Sequence, residues 1–240
     1  MTELLFMEDS YLKEFSATVT NANSNEIELD KTAFYPEGGG QPSDIGVVEN
    51  EKDVYNVTYV RKENGKIIHV LDKESLKIGD KVNCKLDWNR RYALMRNHTA
   101  AHVLSAVINK ETGALISGNQ LGVEQSRIDF SLENFDREKI KEYVDKANEY
   151  LAQDVPIKTY FISWDEADES ITKLAMGISG HEKLRIVEIG DIDKQADGGT
   201  HVANVKEVGH IELVKIENKG KNNRRVYFRV VEGILWREKS

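Results

Sequence analysis

Residues 97–104 read NHTAAHVL, which places His98 and His102 four positions apart. On a helix, such a pair leaves one face and converges on a point, so it offers half of a tetrahedral metal site. A third histidine, His201, lies in a second motif, QADGGTHVANVKEVG, with Asp197 four residues before it. Gly198 and Gly199 between them predict a tight turn instead of a helix, and such a turn can point both side chains at one target. Two readings stand side by side: a metal held by imidazole and carboxylate, or two satisfied helix histidines and an Asx turn with a surface histidine. The metalloprotease pattern HExxH shares the first spacing, but its glutamate is replaced here by Thr99, which disfavours a zinc peptidase. No Gly-x-Ser-x-Gly elbow is present to suggest a serine hydrolase.

A third stretch, KTAFYPEGGGQPSDIG over 31–46, sets Gly38, Gly39 and Gly40 between Pro36 and Pro42. A loop of that composition lets its backbone approach a ligand closely. It lacks the Gly-Lys-Ser/Thr ending of a P-loop, so triphosphate binding is disfavoured. It does contain Gly39-Gly40-Gln41, the tripeptide that release factors use at a peptidyl-tRNA ester. A fourth stretch, KIENKGKNNRRVYFRV, groups Lys215, Lys219, Lys221, Arg224, Arg225 and Arg229 about a Gly/Asn turn. It reads equally as a solvated hairpin tip and as a phosphate-contacting one.

The elements that must position these residues follow from composition and periodicity. With 240 residues, the chain can bury one large core or two modest ones, and we read two domains, 1–88 and 89–240. Its 40% hydrophobic and 31% charged residues are those of a soluble globular protein, with no apolar run of bilayer length and no export signal at the start. A cytosolic compartment is expected. The single cysteine, Cys84, rules out an internal disulfide or a cysteine-rich zinc site, and its strand-like surroundings predict a small half-buried residue. A net charge of −8 argues against a generic nucleic-acid coat. From 14 to 88 short alternating runs are separated by turn clusters, with Asn64-Gly65 as a hairpin signal, so this third predicts a small β-barrel or sandwich. Beyond Trp88, Tyr92, Met95, Ala100, Val103, Leu104, Val107 and Ile108 predict a helix over 89–110, which the two histidines open. Ile140, Tyr143, Val144, Ala147 and Leu151 predict a second, capped by Asp136. The remainder alternates strand-like runs with a short helix around 165–176, which makes an α+β domain.

Taken together and in order, TAFYPEGGGQPSDIG, LDWNRRYALMRNHTAAHVL and IGDIDKQADGGTHVANVKEVGHIELVKIENKGKNNRRVYF resemble the freestanding alanyl-tRNA editing proteins, AlaX of the medium-length type, and the editing part of alanyl-tRNA synthetase. The chain has no room for an adenylating domain before the barrel, so it looks like the freestanding editor. The resemblance implies an α+β fold with an N-terminal barrel followed by a zinc-containing editing domain of the threonyl/alanyl-tRNA synthetase type. It implies hydrolysis of the ester joining a wrong amino acid, chiefly serine with glycine a second candidate, to tRNA(Ala). It also implies one zinc per chain, held by His98, His102, His201 and a cysteine. This sequence has Asp197 at the cysteine position, so either Asp197 is the fourth ligand or a water is, with Asp197 accepting its proton. Thr32 matches the family's threonine at the serine hydroxyl, and Gln41 is a second positioning candidate beside the glycines. The implied partner is mischarged tRNA, with no membrane and no obligate protein partner. Two rivals are an editor of the threonine system and a catalytically idle tRNA- or amino-acid-binding module.

Overall fold

The computed structural model describes residues 2–133, 136–167 and 183–232. It divides into two compact units, one ending at Leu94 and the other beginning at Met95. The fold is mixed α and β with a barrel in the first unit, as the sequence predicts.

Six antiparallel strands close the barrel in the order Glu14–Asn23, Glu26–Leu29, Lys66–Leu71, Val54–Glu63, Gly46–Glu49 and Lys81–Leu86, the last returning to the first. Closure removes exposed sheet edges, and the period-two pattern of each strand then sorts its residues into lumen and surface. Lys81–Leu86 illustrates the rule, since Val82, Cys84 and Leu86 are buried and the residues between them exposed. Val19, Ile27, Leu29, Val57, Val60, Ile67 and Leu71 complete the interior from the other strands. Asn64 and Gly65 turn the predicted hairpin with φ of 50° and 79°, the double positive that a two-residue turn of matching twist requires. Cys84 is buried, and burial pushes its thiol up to about 12, so it serves packing.

The glycine loop is tied to the barrel by a buried ion pair. Arg91, in the first turns of helix α1 (Trp88–Thr112), points Nε at both Asp44 carboxylate oxygens, 3.1 and 3.0 Å away. Its Nη1 donates to the Ser10 carbonyl at 2.9 Å, and its Nη2 donates to Asp44 and to the Ala33 carbonyl. Asp44 also accepts from the Tyr35 amide at 2.6 Å. One guanidinium therefore fixes the start of the helix, the N-terminal segment and both ends of the loop. Asp87 caps the helix by accepting from the Arg90 amide at 3.1 Å.

In the second unit, α2 (Arg137–Leu151) buries Ile140, Tyr143, Val144, Ala147 and Leu151 and is capped by Asp136, whose side chain accepts from the Glu138 amide. It is fixed to a four-stranded antiparallel sheet, ordered His210–Asn218, Asn223–Val231, Ser126–Ser131 and Ile116–Gln120. Asn148 makes the tie, accepting from the Ile211 amide at 2.7 Å and donating to its carbonyl at 2.9 Å. A second sheet is ordered Ile157–Ser163, Lys183–Ile189 and Asp193–Ala196. Of the helix expected around 165–176, only the 3-10 turn Trp164–Glu166 and Ala167 lie among the described residues. A second expectation is corrected: α1 starts at Trp88, so His98 and His102 sit in its middle and do not open it. The run RRYALMR is helical because its arginines are consumed by partners, Arg91 in the barrel and Arg96 on the Val208 and Val231 carbonyls at 2.8 and 3.1 Å. Among the described residues, no helix is long and apolar enough to cross a membrane.

Removing one member of a buried ion pair leaves the other charged and unpaired, at a cost of about 3–5 kcal/mol. Arg91→Met should therefore lower the stability of the first unit by that order, read as a fall in the midpoint of urea unfolding. An unchanged midpoint would show that the pair is not holding the loop.

Candidate metal centre

Helix α1 presents His98 and His102 on one face, one turn apart, as the spacing predicts. The strand Asp193–Ala196 delivers Asp197 and then His201 to the same point. Arg185, itself buried, shapes that segment by donating to the carbonyls of Asp197 and Gly199, both at 2.9 Å. Asp197 accepts from the Gly199 amide at 2.5 Å, an Asx turn that aims its carboxylate. The turn leaves no room for a side chain at Gly199, where a Cβ would stand 2.2 Å from Cε1 of His98 and 2.5 Å from its Nδ1. Close approach, and not an unusual φ, is what demands glycine here.

The candidate ligand atoms of His98, His102, Asp197 and His201 all lie within 4.8 Å of one another, and this group could hold one metal ion. Asp197 Oδ2 is 3.5 Å from Nε2 of both His98 and His102, and its Oδ1 is 3.4 Å from Nε2 of His201. These separations are long for charge-assisted hydrogen bonds, which run at about 2.7–2.9 Å. These three contacts, shared between the two carboxylate oxygens, are close to the roughly 3.4 Å edge of a tetrahedron whose centre lies about 2.0–2.2 Å from each donor, within a group that gathers inside 4.8 Å. The donor set therefore fits a divalent cation of zinc's size.

The far sides of the His102 and His201 rings are also arranged for this. His102 Nδ1 donates to Asp193 Oδ2 at 2.7 Å, and the Gln195 amide donates to the same oxygen at 2.8 Å. His201 Nδ1 faces the Thr99 hydroxyl at 3.1 Å. With Nδ1 protonated, which the Asp193 carboxylate requires of His102 and the Thr99 hydroxyl can accept from His201, each Nε2 lone pair is turned toward the centre, the tautomer that a ligating histidine needs. Burial pulls the His98 and His201 imidazoles below their ordinary range and so favours the neutral form. Burial acts the same way on His102, but hydrogen bonds and charge from Asp193 and Asp197 overcome it and raise it to about 10. Burial opposes ionisation of Asp197, yet the imidazoles of His98, His102 and His201 gathered around it hold its carboxyl well below the usual range. Two carboxylates among three buried rings make a pocket that favours positive charge.

The other residues singled out from the sequence are placed as follows. Thr32 lies in the first unit, buried at the end of the strand Lys31–Thr32, and Gln41 is buried in the same unit. Gly38 and Gln41 exchange two backbone hydrogen bonds, 3.1 and 2.9 Å, across Gly39 and Gly40 at φ of 58° and 85°. The second-unit hairpin carries Arg224 and Arg225. Arg224 is buried and donates to the carbonyls of Gly220, Asn223, Lys221 and Glu133, while Arg225 pairs with Asp129 at 2.6 and 2.8 Å. Sequence reading did not single out Thr99, Arg185, Asp193 or Gln195 as partners of the centre. The one sequence signal was DKQAD, whose first, third and fifth residues share a strand face.

Residues 4–90 match the model of class II (A) tRNA synthetases, and residues 184–227 match the second additional domain of threonyl and alanyl tRNA synthetases. A protein of Methanosarcina barkeri named alanyl-tRNA editing protein AlaX-M is 51% identical, over 97% of this chain and 100% of its own. Its namesake from Saccharolobus solfataricus is 46% identical over 96% and 99%. An alanine–tRNA ligase of Methanobrevibacter smithii is 38% identical over 95% of this chain, which covers 27% of the ligase.

Gly199→Ala should force His98 off the common point. Isothermal titration with zinc should show affinity reduced by at least about tenfold, in the range that loss of an orienting partner produces, with the circular dichroism spectrum retained. Wild-type affinity in this variant would mean that His98 is not a ligand.

Proposed function

The chain belongs to the alanyl-tRNA editing proteins of the AlaX-M type, and we propose that it hydrolyses the ester bond of mischarged tRNA(Ala), chiefly seryl-tRNA(Ala), with glycyl-tRNA(Ala) a second substrate. The observation that carries this reading is the gathering of three imidazoles and one carboxylate within 4.8 Å of one another, in a chain that aligns end to end with proteins named for editing. Zinc is the metal that this set of three imidazoles and one carboxylate suits, and when bound it would polarise a carbonyl and lower the pKa of a water to about 7. His98, His102 and His201 hold it, with Asp197 as the fourth ligand, because its two carboxylate oxygens between them face Nε2 of all three rings. Asp193 and Thr99 keep the rings of His102 and His201 in the ligating tautomer. The idle-module rival requires Asp197 to abolish the site, and the position of its carboxylate argues against that. The threonine-system rival has no support in the names of the relatives.

Selectivity has to come from a group that meets the amino-acid side chain. We assign this to Thr32, with Gln41 and the Gly38–Gly40 backbone positioning the acceptor end. Serine exceeds alanine by one hydroxyl, and a site built to hydrogen-bond it rejects the analogue lacking it by roughly 10⁴- to 10⁵-fold. Docking of tRNA at the basic hairpin falls to Lys219 and Lys221, which are exposed, Lys219 with Glu217 beside it at 3.0 Å, while Arg224 and Arg225 are taken up by partners within the unit. The reaction consumes no ATP, takes place in the cytosol and needs no second protein.

A deacylation panel of seryl-, glycyl-, alanyl- and threonyl-tRNA tests the reading. Rapid release of serine from tRNA(Ala), lost together with zinc in His98→Ala, is expected; release of serine from tRNA(Thr) and not from tRNA(Ala) would support the rival. Thr32→Val should lower seryl relative to alanyl kcat/KM and cost about 1–3 kcal/mol in stability, because it strands the group that its hydroxyl now satisfies. Lys219→Ala with Lys221→Ala should weaken tRNA binding and reduce the slope of log K against log salt, since fewer counterions are released. An unchanged slope would mean that the hairpin is merely solvated.

A further inference from the structure

The barrel contains a buried histidine that the metal centre does not use. His69, on the strand Lys66–Leu71, is fully buried and places Nε2 2.8 Å from the Thr32 hydroxyl oxygen. Its Nδ1 faces the Ile27 carbonyl at 3.4 Å. A carbonyl can only accept, so Nδ1 carries the ring proton and Nε2 is left as an acceptor. Burial lowers the imidazole to about 4, which keeps the ring neutral at physiological pH. Two consequences follow for Thr32. Its single hydroxyl proton is donated to Nε2 of His69, and one of its oxygen lone pairs is taken by the Phe34 amide at 3.1 Å. What remains is one lone pair. Phe34 also packs edge-on against the His69 ring, centroids 5.6 Å apart, which fixes the ring in this pose.

We propose that His69 is a positioning residue for substrate selection: by taking the Thr32 proton it turns that hydroxyl into an obligate acceptor, so the site recognises amino acids whose side chain donates a hydrogen bond. This rests on the assignment of Thr32 to the serine side chain made above. The chemical class that this contact favours over alanine is then a small side chain with an O–H donor, while glycine, which carries no side chain, enters without using it. A side chain of serine's size that only accepts is refused as alanine is, because it would set two lone pairs against each other.

Two arms test this. On the unaltered protein, tRNA(Ala) charged with 3-fluoroalanine, similar in size to serine but without a donor, should be hydrolysed at the alanyl and not the seryl rate. Hydrolysis at the seryl rate would overturn the proposal, and this arm requires no variant to fold. In the second arm, His69→Phe keeps a ring against Phe34 but removes the acceptor, while His69→Gln restores an acceptor at a similar place. The seryl-to-alanyl ratio of kcat/KM should fall about tenfold or more in His69→Phe and recover in His69→Gln, as expected when a hydrogen bond read by the site is lost and regained. A ratio unmoved in His69→Phe but shifted in Thr32→Val would sink the role of His69 alone. Unmoved ratios in both variants would remove the Thr32 assignment and this inference with it.

Discussion

The second unit depends on how closely a backbone can pass a ring. At Gly199 the chain crosses the His98 imidazole where even a methyl group would overlap it by more than an ångström of normal contact. Only that approach lets Asp197 and His201 meet the two histidines of α1. The hydrogen bonds of Arg185 hold the crossing in place by satisfying carbonyls that the tight path exposes to the interior. The cost of gathering buried polar groups is thereby offset locally, since the rings of His102 and His201 and the Asp197 carboxylate have partners on their outer sides.

The first unit solves a related problem with one side chain. Arg91 is buried with its charge, which is tolerable because Asp44 lies against it and three of its nitrogens find oxygen acceptors. The loop from Ala33 to Asp44 is thus held at both ends, while Gly39 and Gly40 make the reversal between them. Thr32 precedes this loop directly, so the same restraint keeps its hydroxyl in register with His69 across the barrel interior. Rigid positioning of a hydroxyl matters more than its presence, because a rotor free to turn would accept or donate according to its guest.

What was legible in the sequence was whatever depended on near neighbours. The stripe of α2, the alternation of the barrel strands and the Asn64-Gly65 turn are local periodicities, and the helical pair of histidines is a local spacing. Partners far apart along the chain were not legible. His102 and Asp193 are separated by 91 positions and Thr99 and His201 by 102, and no periodicity connects such residues. The start of α1 near residue 89 was legible, but the two histidines were placed at its opening when they stand in its middle, and the acceptors of Arg91 and Arg96 lie too far along the chain to be read. Arg224 belongs with them: within a basic run it reads as surface charge, yet it is buried and stitches its own hairpin together. Basic residues are the least readable class here, because the guanidinium can close a turn as well as meet solvent.

The oxygen donor of Asp197 has a further consequence in redox terms. Where the resembled family carries a sulfur ligand, this chain offers a carboxylate, and its only sulfhydryl, Cys84, is sealed in the barrel with its ionisation suppressed. A metal held by three imidazoles and a carboxylate is coordinated by no atom that can climb from thiolate to sulfenic and sulfinic acid. Peroxide, which releases metal from thiolate sites by oxidising the ligand, finds no such handle among these four residues. Such a ligand set would in that sense be silent toward oxidants, and its grip on an ion would be governed by proton competition and geometry.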